Sequence, residues 1–394
     1  MANISFMIQS FPGGGTERVI MNLARPLTDA GHRVFLFINE LYEDKLPQEE
    51  LPITYIKLPY RVRKKKNYPA ILEAVKQYDI KVFFALLHFP SYLKELRATG
   101  LCRIVYVLHG MPLHEKTMKL GNITRPTKLN FRSWIKRYLL DIPKYKLGYY
   151  DWRMLKQYKK AYYNSDAYGA LFDGYCEQLA EALKIDYKSS HFYTLQNPIP
   201  DIEDNGVTYH REKQIVYVGR LTYWDKRLDR LLAVWEKLHH RFPEWKLCFV
   251  GDGEEEHNLR NIVAEKGLQR VEFLGWQNNP TRFYRTSEIM CMTSVSEGCP
   301  MALLEAQQCG CVAVAFDCCA GIHEILSPSW ENGVLVPNND IDAYAEALSK
   351  LMSDDELRHK IQAECVNSAK RFSVENSVRQ YDALIRKLCK DRLL

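Results

Sequence analysis

The chain has 394 residues and a net charge of +6, and 46% of its residues are hydrophobic while 26% are charged. This composition is typical of a globular protein of about two domains, and it excludes disordered, collagen-like and coiled-coil classes. No apolar run approaches the ~18 residues that cross a bilayer, the N-terminus resembles no secretory signal, and the eleven cysteines are too sparse for a disulfide framework. We therefore expect a cytoplasmic protein with reduced thiols.

The first half of the chain alternates short apolar strands with helices. A helix over residues 17–30 ends at Gly31, which suits a helix C-cap, and a second helix fits residues 70–78. The predicted strands cover residues 3–8, 34–38, 81–87 and 104–108. Apolar strands that alternate with helices favour a parallel sheet.

A basic, aromatic stretch follows at residues 116–160, here called the basic segment. It carries thirteen Lys and Arg against two Asp, interleaved with Trp134, Trp152 and several tyrosines. The run Arg61-Val62-Arg63-Lys64-Lys65-Lys66 adds to the positive charge of this half. The segment Gln196-Asn197-Pro198 and the polar residues 201–211 that follow it indicate a linker.

The β/α alternation then repeats in the second half. The predicted strands cover residues 215–218, 245–250, 271–274, 289–293, 312–316 and 333–336, and the helices cover residues 227–241, 254–266, 280–286, 301–309, 341–352 and 354–370. We therefore expect an α/β protein with two doubly wound domains that face a cleft, with ligands at the carboxyl ends of the strands.

A glycine-rich turn at Gly13-Gly14-Gly15 follows the first strand and opens a helix. Glycines allow close backbone approach to an anion, and a helix N-terminus favours negative charge. The dinucleotide-binding fingerprint is incomplete because Arg18 stands in place of its third glycine. A turn without a ligand remains an alternative at this point.

A second turn joins Gly219 and Arg220 at a strand end to Lys226, six residues further on. Two cations at the mouth of a parallel sheet suit a diphosphate. A solvated basic turn is the alternative.

A third turn, from Ser296 to Glu305, gives the strongest signal. Pro300 fits the N1 position of a helix that Gly310 ends, so the amides of residues 298–302 lie at the positive end of a helix dipole. Glu297 lies before this helix and Glu305 on its second turn, where they reach different parts of one extended ligand. A surface helix with stray acids is less favoured because the helix is largely apolar.

Metal ligation has little support in the sequence. The one Asp-x-Asp spacing, Asp340-Ile341-Asp342, falls at a predicted helix start, where N-capping explains it. Six cysteines lie between Cys291 and Cys319, but the chain has no C-x-x-C pair. We expect no required metal.

Glu297 and Glu305 together resemble the E-x7-E signature of glycosyltransferase family 4, which are retaining enzymes with the GT-B fold. The matching segments are, in chain order, Gly14-Gly15-x-Glu17-Arg18, His109-Gly110, Gln196-Asn197-Pro198, Val218-Gly219-Arg220 with Lys226, Val250-Gly251-Asp252-Gly253, Phe273-Leu274-Gly275 and the block from Glu297 to Gly310. The chain departs from the common pattern at Cys299, where an aromatic residue is frequent, and in its long basic segment.

The resemblance implies a domain plan. Residues 1–200, which contain the basic segment, would form a Rossmann-like acceptor-binding domain, and residues 201–372 a Rossmann-like nucleotide-sugar-binding domain. The last helix, within residues 373–394, would return to pack on the N-terminal domain.

The resemblance also implies roles for individual residues. Arg220 and Lys226 would neutralise the donor diphosphate, Glu305 would bind the ribose, and Glu297 with the turn amides would hold the sugar hydroxyls. The remaining donor contacts would come from Gly14 and Gly15 over the phosphates, Gly219 in the basic turn, Gly275 and Trp276 at the base, and Gly298, Cys299, Pro300, Met301 and Ala302 in the glutamate turn. His109 would lie near the transferred sugar, so Glu297, His109, Arg220 and Lys226 are the expected catalytic residues.

The implied activity is transfer of a hexose or N-acetylhexosamine from a UDP-sugar to a glycan or lipid-linked saccharide in surface polysaccharide or lipopolysaccharide synthesis. No cofactor is expected, and the family retains configuration by front-face attack. Two alternatives stay open: another GT-B enzyme such as a nucleotide-sugar epimerase or phosphorylase, and a non-catalytic module that binds anionic lipid.

The basic segment is expected to dock the protein on the anionic inner face of the cell membrane, because lysines and tryptophans suit that interface. The alternatives are a solvated helix pair whose aromatic residues belong to the core, and a direct site for an acidic acceptor. No nucleic-acid-binding motif is present, so nucleic acid is not an expected partner.

Overall fold

A computed structural model describes residues 1–12, 15–47, 49–86, 89–124, 131–202 and 209–390. The chain divides into two compact units. The first comprises Met1–Pro112, Trp152–Pro200 and Phe372–Leu394, and the second comprises Leu113–Asp151 and Asp201–Arg371.

The first unit is built on a seven-stranded parallel sheet. Its strands are β1 (Asn3–Phe11), β2 (Arg33–Leu41), β3 (Ile53–Lys57), β4 (Ile80–Leu86), β5 (Arg103–Leu108), β6 (Ala167–Ala170) and β7 (Phe192–Thr194), in the order β3-β2-β1-β4-β5-β6-β7. Its helices are α1 (Gly15–Asp29), α2 (Tyr68–Gln77), α3 (Tyr92–Ala98), α7 (Tyr149–Tyr163, which begins in the second unit), α8 (Asp173–Leu183) and α17 (Val374–Lys390). The strand order reverses direction between β1 and β4, which makes that pair the topological switch point.

The four strands predicted in this half are present, but the sheet has three more. β3, β6 and β7 have five, four and three residues, respectively. The sequence therefore indicates the parallel sheet but underestimates its width.

The last long helix packs on the first unit, which confirms the predicted return of the chain. The buried face of α17 contacts α1 and β4, and the ring of Tyr381 lies 5.7 Å from that of Phe84. Asp382 on the same helix lies 2.7 Å from the imidazole Nε2 of buried His32. Burial of this helix face completes the core of the first unit.

The second unit is built on a six-stranded parallel sheet whose six strands were all predicted. The strands are β8 (Glu212–Val218), β9 (Lys246–Val250), β10 (Val271–Phe273), β11 (Ser287–Met292), β12 (Val312–Phe316) and β13 (Val334–Val336), in the order β10-β9-β8-β11-β12-β13. Its helices include α9 (Tyr223–Lys226), α10 (Leu228–Leu238), α11 (Glu256–Glu265), α12 (Thr281–Thr286), α13 (Met301–Gln308), α14 (Ala320–Leu326), α15 (Ile341–Ser353) and α16 (Asp355–Ala369). Trp235, Trp245 and Tyr344 are fully buried in its core.

Most of the basic segment groups with the second unit, whereas the sequence suggested the first. It contains α4 (His114–Thr124), α5 (Phe131–Ile135), a π-helical turn (Lys136–Asp141) and α6 (Ile142–Lys146). Helix α4 contacts α9, and this packing joins residues 113–151 to the second unit. The assignment of acceptor binding to the first domain and donor binding to the second stays a prediction.

Within the described ranges, the helices are all too short or too polar to traverse a lipid bilayer.

Candidate active site

The topological switch point of the second unit brings two predicted turns together. β8 and β11 are neighbours in the sheet, with Ile215 opposite Ile289, and each strand ends at the same edge. After β8, Arg220 lies in a loop and Lys226 is the last residue of α9, and the loop after β11 carries Glu297. Open α/β sheets bind ligands at this kind of position.

Lys226 and Glu297 form an ion pair although they lie 71 residues apart in the chain. The Lys226 Nζ lies 2.6 Å from Glu297 Oε1, and both side chains are largely buried. Two further contacts hold the turns together: the Thr293 hydroxyl donates to the Lys226 carbonyl at 3.2 Å, and the Val295 N–H donates to the Asp225 carbonyl at 2.8 Å. The pair therefore stands on a fixed backbone.

Asp225 is a residue of this site that the sequence analysis missed. It is buried, accepts a hydrogen bond from the Thr222 hydroxyl, and lies 3.5 Å from Arg220 Nη2 and 4.0 Å from Lys226 Nζ. Burial raises the pKa of its carboxyl, while Thr222 and the two cations oppose the shift. The sequence did hold a signal for it, because Asp225 stands between Arg220 and Lys226 in the same motif. Its carboxylate lies close enough to both cations to orient them.

Glycines bring three loops of the second unit into backbone contact. Gly251, at φ +134°, has no room for a side chain because a Cβ there would lie 2.0 Å from the Gly219 carbonyl oxygen. Its N–H donates to the Gly275 carbonyl at 2.8 Å, and the Gly219 N–H donates to Val250 at 2.9 Å. The loops after β8, β9 and β10 thus form one surface, beside which Trp276 is 63% exposed.

Helix α13 begins at Met301, as predicted, but the predicted place of Pro300 inside its first turn is wrong. Pro300 occupies the N-cap rather than N1, since its carbonyl accepts the Leu303 N–H at 3.0 Å. The Met301 N–H already donates to the Cys299 carbonyl at 2.9 Å, so the group of turn amides expected from the sequence is partly engaged. Ala302 lies in the first turn, so its amide is at the positive end of the helix, whereas Gly298 precedes the N-cap and lies outside the helix.

Glu305 is oriented by a buried tyrosine. The Tyr284 hydroxyl donates to Glu305 Oε2 at 3.1 Å. Burial, reinforced by the negative charge of Glu305, raises the pKa of Tyr284 well above its usual value, so the phenol stays protonated and remains a donor. This contact fixes the direction of the carboxylate.

The predicted site residues of the first unit are only partly described. Gly14 lies outside the described residues, and Gly15 is the first residue of α1. His109 follows β5 beside the side chain of Asn197, and burial lowers the pKa of its imidazole to about 4, with Asn197 opposing the shift. The ring is therefore neutral at pH 7 and acts as a polar group rather than a cation. Its catalytic role stays a prediction.

The Asp-x-Asp spacing serves as a helix cap, as predicted. Asp340 precedes α15 and accepts the Ala343 N–H at 2.9 Å, while Asp342 pairs with Lys237 at 2.8 Å. Over the ranges that the structure covers, no group of three or more His, Cys, Asp and Glu side chains is arranged to hold a metal ion.

The basic segment exposes an unusual apolar face. Phe131 is 76% and Leu147 85% exposed. The other exposed apolar side chains there are Trp134, Tyr138, Leu139, Leu140, Tyr149 and Trp152, whereas Tyr150 and Tyr158 are buried. Lys136, Lys144 and Lys146 are exposed beside them, but Arg137 donates to the Ile123 carbonyl at 2.7 Å and has a structural role.

Comparison with known proteins finds two family profiles on this chain. Residues 13–186 match Glycosyltransferase Family 4, and residues 199–366 match Glycosyl transferases group 1. An uncharacterized glycosyltransferase of Haemophilus influenzae is 27% identical, with 98% of this chain and 100% of that protein covered.

Two further proteins illustrate the range of similarity. The N-acetylgalactosamine-N,N'-diacetylbacillosaminyl-diphospho-undecaprenol 4-alpha-N-acetylgalactosaminyltransferase of Campylobacter jejuni is 24% identical over 94% of this chain and 96% of its own length. The crystal structure of Anabaena Alr3699/HepE in complex with UDP matches with a TM-score of 0.72 at 15% identity, covering 98% of this chain and all of that one. At that identity the second match supports the fold alone.

Proposed function

The chain belongs to glycosyltransferase family 4 and has the GT-B fold, and from this membership we propose the reaction that it catalyses. The proposed donor is a UDP-sugar, and the proposed cargo is a hexose or N-acetylhexosamine. The acceptor is a lipid-linked saccharide or another glycan in surface polysaccharide or lipopolysaccharide synthesis. The Campylobacter relative, whose name includes a diphospho-undecaprenol acceptor, and the Anabaena neighbour with bound UDP support these choices.

The observation that carries the proposal is the charge arrangement at the β8/β11 edge. The Arg220 side chain is 67% exposed and accessible to a ligand, whereas the Lys226 side chain is largely buried and forms an ion pair with Glu297. An ammonium group has three donors, so Lys226 can keep its bond to Glu297 and still donate to a phosphate oxygen. Glu305 lies on the second turn of α13, and its carboxylate is the proposed acceptor of hydrogen bonds from the ribose hydroxyls.

The chemistry follows from the charges that develop. The bond between the anomeric carbon and the donor phosphate breaks, a bond to the acceptor oxygen forms on the same face, and the acceptor proton passes to the leaving phosphate. Arg220, Lys226 and the N-terminus of α13 stabilise the leaving diphosphate because they are positive before the reaction begins. Glu297 binds sugar hydroxyls and stabilises positive charge on the ring.

Release of free UDP from a UDP-sugar in the presence and absence of acceptor tests this proposal. A transferase releases UDP when a saccharide acceptor is added and forms a product longer by one sugar. Conversion of the donor without acceptor would indicate an epimerase, and phosphate-dependent release of sugar phosphate would indicate a phosphorylase.

We expect Glu305→Ala to weaken UDP binding by about 10- to 100-fold, because a hydrogen bond to a charged group contributes about 1.5–3 kcal/mol. Tyr284→Phe keeps the carboxylate and removes only its orienting bond, so a smaller loss is expected. Calorimetric titration with UDP measures both, with Glu265→Ala, an exposed acid on α11, as the control. Unchanged affinity in Glu305→Ala would remove this residue from the site.

Transfer activity is expected to persist in excess chelator. Arg220 and Lys226 supply the positive charge that stabilises the departing diphosphate. An assay with EDTA, followed by addition of Mg²⁺ or Mn²⁺, measures this. Complete loss of activity in EDTA with recovery on metal addition would contradict the expectation.

We also propose that the apolar face of residues 131–147 docks on an anionic membrane. Exposed tryptophan, tyrosine and leucine side chains beside lysines fit the boundary between head groups and acyl chains. Phe131 and Trp134 lie three residues apart on α5 and so project from one side of that helix, and the ring of Tyr138 lies 5.2 Å from that of Trp134. The neighbouring Lys144 and Lys146 add attraction to anionic lipid.

Co-sedimentation with vesicles tests the docking. Each lysine near an anionic surface contributes about 1 kcal/mol, so replacing Lys136, Lys144 and Lys146 by Gln is expected to weaken binding by about 100-fold. Replacement of Lys76, Lys188 and Lys360, which are exposed elsewhere, removes the same charge and is the control. Binding should fall with salt. Wild-type protein that stays in the supernatant at low salt would contradict the proposal.

A further inference from the structure

The first unit carries two adjoining cavities whose lining, among the described residues, shares no residue with the proposed donor site. One, of about 630 Å³, is lined by Gln9, Glu40, Arg61, Arg63 and Lys64. The other, of about 370 Å³, includes Arg63, Phe89, Tyr106 and Lys160 in its lining. Arg63 lines both, and we call the combined surface the Arg63 basin.

The loop that supplies these cations is held in place from beneath. Val62 is buried, its N–H donates to Gln9 Oε1 at 3.1 Å, and its carbonyl accepts the buried Tyr92 hydroxyl. The fully buried Asn67 side chain donates to the carbonyls of Tyr60 at 2.9 Å and Arg61 at 3.0 Å. The cations therefore project from a fixed backbone, which lowers the entropy cost of binding a ligand.

The charge balance of the Arg63 basin favours an anion. Arg61, Arg63 and Lys64 line one cavity and Lys160 the other. Among the described lining residues they face one carboxylate, that of Glu40, which accepts a hydrogen bond from Tyr42 at 3.1 Å. Guanidinium groups match the oxygens of phosphates in paired geometry. Phe89 and Tyr106, whose rings lie 5.9 Å apart, give the second cavity an apolar wall beside these charges.

We propose that the Arg63 basin binds a phosphate-type anion carried by the acceptor. This inference rests on the proposed transferase function and narrows its acceptor to a phosphate-bearing molecule. Two sources share this chemistry: a diphosphate that links the saccharide to a lipid, and a phosphate substituent on the saccharide itself. The apolar wall suits the carbon skeleton next to either group.

Calorimetric titration with inorganic pyrophosphate, on full-length protein already saturated with UDP, tests the basin without interference from the donor site. The variant with Arg61→Ala, Arg63→Ala and Lys64→Ala removes the cations of the larger cavity. The matched control replaces three other lysines by Ala. These are Lys66, Lys76 and Lys94, which are exposed but do not line either cavity. UDP affinity, measured first on each protein, reports on folding and on the donor site.

We expect pyrophosphate to bind the UDP-saturated wild type and the control variant, and to bind the basin variant at least tenfold more weakly. Absent binding to the wild type, or equal binding to the two variants, would overturn the inference. Failure of UDP itself to bind would instead count against the proposed function, and the comparison of variants would still report on the basin. Farnesyl diphosphate and glucose 1-phosphate then separate the lipid source from the saccharide source.

Discussion

Lys226→Ala is expected to lower kcat/KM for sugar transfer by about 100-fold or more, because removing one preorganised donor to a developing anion commonly costs 10²- to 10³-fold. The substitution removes the cation that we propose stabilises the leaving diphosphate, and it leaves the Glu297 carboxylate buried without Lys226 as its ion-pair partner. Steady-state kinetics measure the loss. Lys237→Ala, which removes an exposed lysine paired with Asp342, is the control.

Loss of stability is a competing explanation that a second variant separates. Breaking a buried ion pair costs about 3–5 kcal/mol, whereas replacing both partners by neutral groups costs much less. The double variant Lys226→Met with Glu297→Gln should therefore regain thermal stability over Lys226→Ala while staying inactive. Recovery of both stability and activity would show that Lys226 has only a structural role.

Glu297→Gln is expected to lower kcat by about 100-fold with little change in UDP affinity, because the proposed interaction of Glu297 with the sugar strengthens in the transition state. Glutamine keeps the shape of the side chain and a hydrogen-bond acceptor for Lys226, but it removes the negative charge that we propose faces the reacting sugar. Single-turnover kinetics and UDP titration on the same protein measure the two quantities.

The control for Glu297→Gln is Glu331→Gln, which changes a glutamate that lies beyond α14 in the same unit. An unchanged kcat in Glu297→Gln would remove Glu297 from the reacting centre. An equal loss of UDP affinity and kcat would mean that the residue binds the nucleotide rather than the sugar.

The sequence predicted the parts of the fold that depend on periodic patterns. Each strand of the second sheet has an apolar run bounded by turn residues, and the glycines that follow β8 and β9 mark positions where backbones touch. The short strands β3 and β7 escaped prediction because pairing with longer neighbours, rather than their own pattern, makes them strands.

The residues of the candidate site could be predicted where a single sequence motif contains both a turn and the charged side chain next to it. Glu297 and Lys226 meet because β8 and β11 are adjacent, and that adjacency follows from the reversal of strand order rather than from local sequence. Asp225 was missed because its burial is a tertiary property. The structural role of Arg137 is also a tertiary property, because it depends on the contact with the Ile123 carbonyl. The composition of the basic segment gives no sign of that contact.

Calorimetric titration of the wild type with UDP-, ADP- and GDP-sugars tests most directly whether the β8/β11 edge is a nucleotide-sugar site. We predict that a UDP-sugar binds with one-to-one stoichiometry, and that Glu305→Ala and Lys226→Ala each weaken that binding. Failure of every nucleotide-sugar to bind, or native affinity in both variants, would contradict the account.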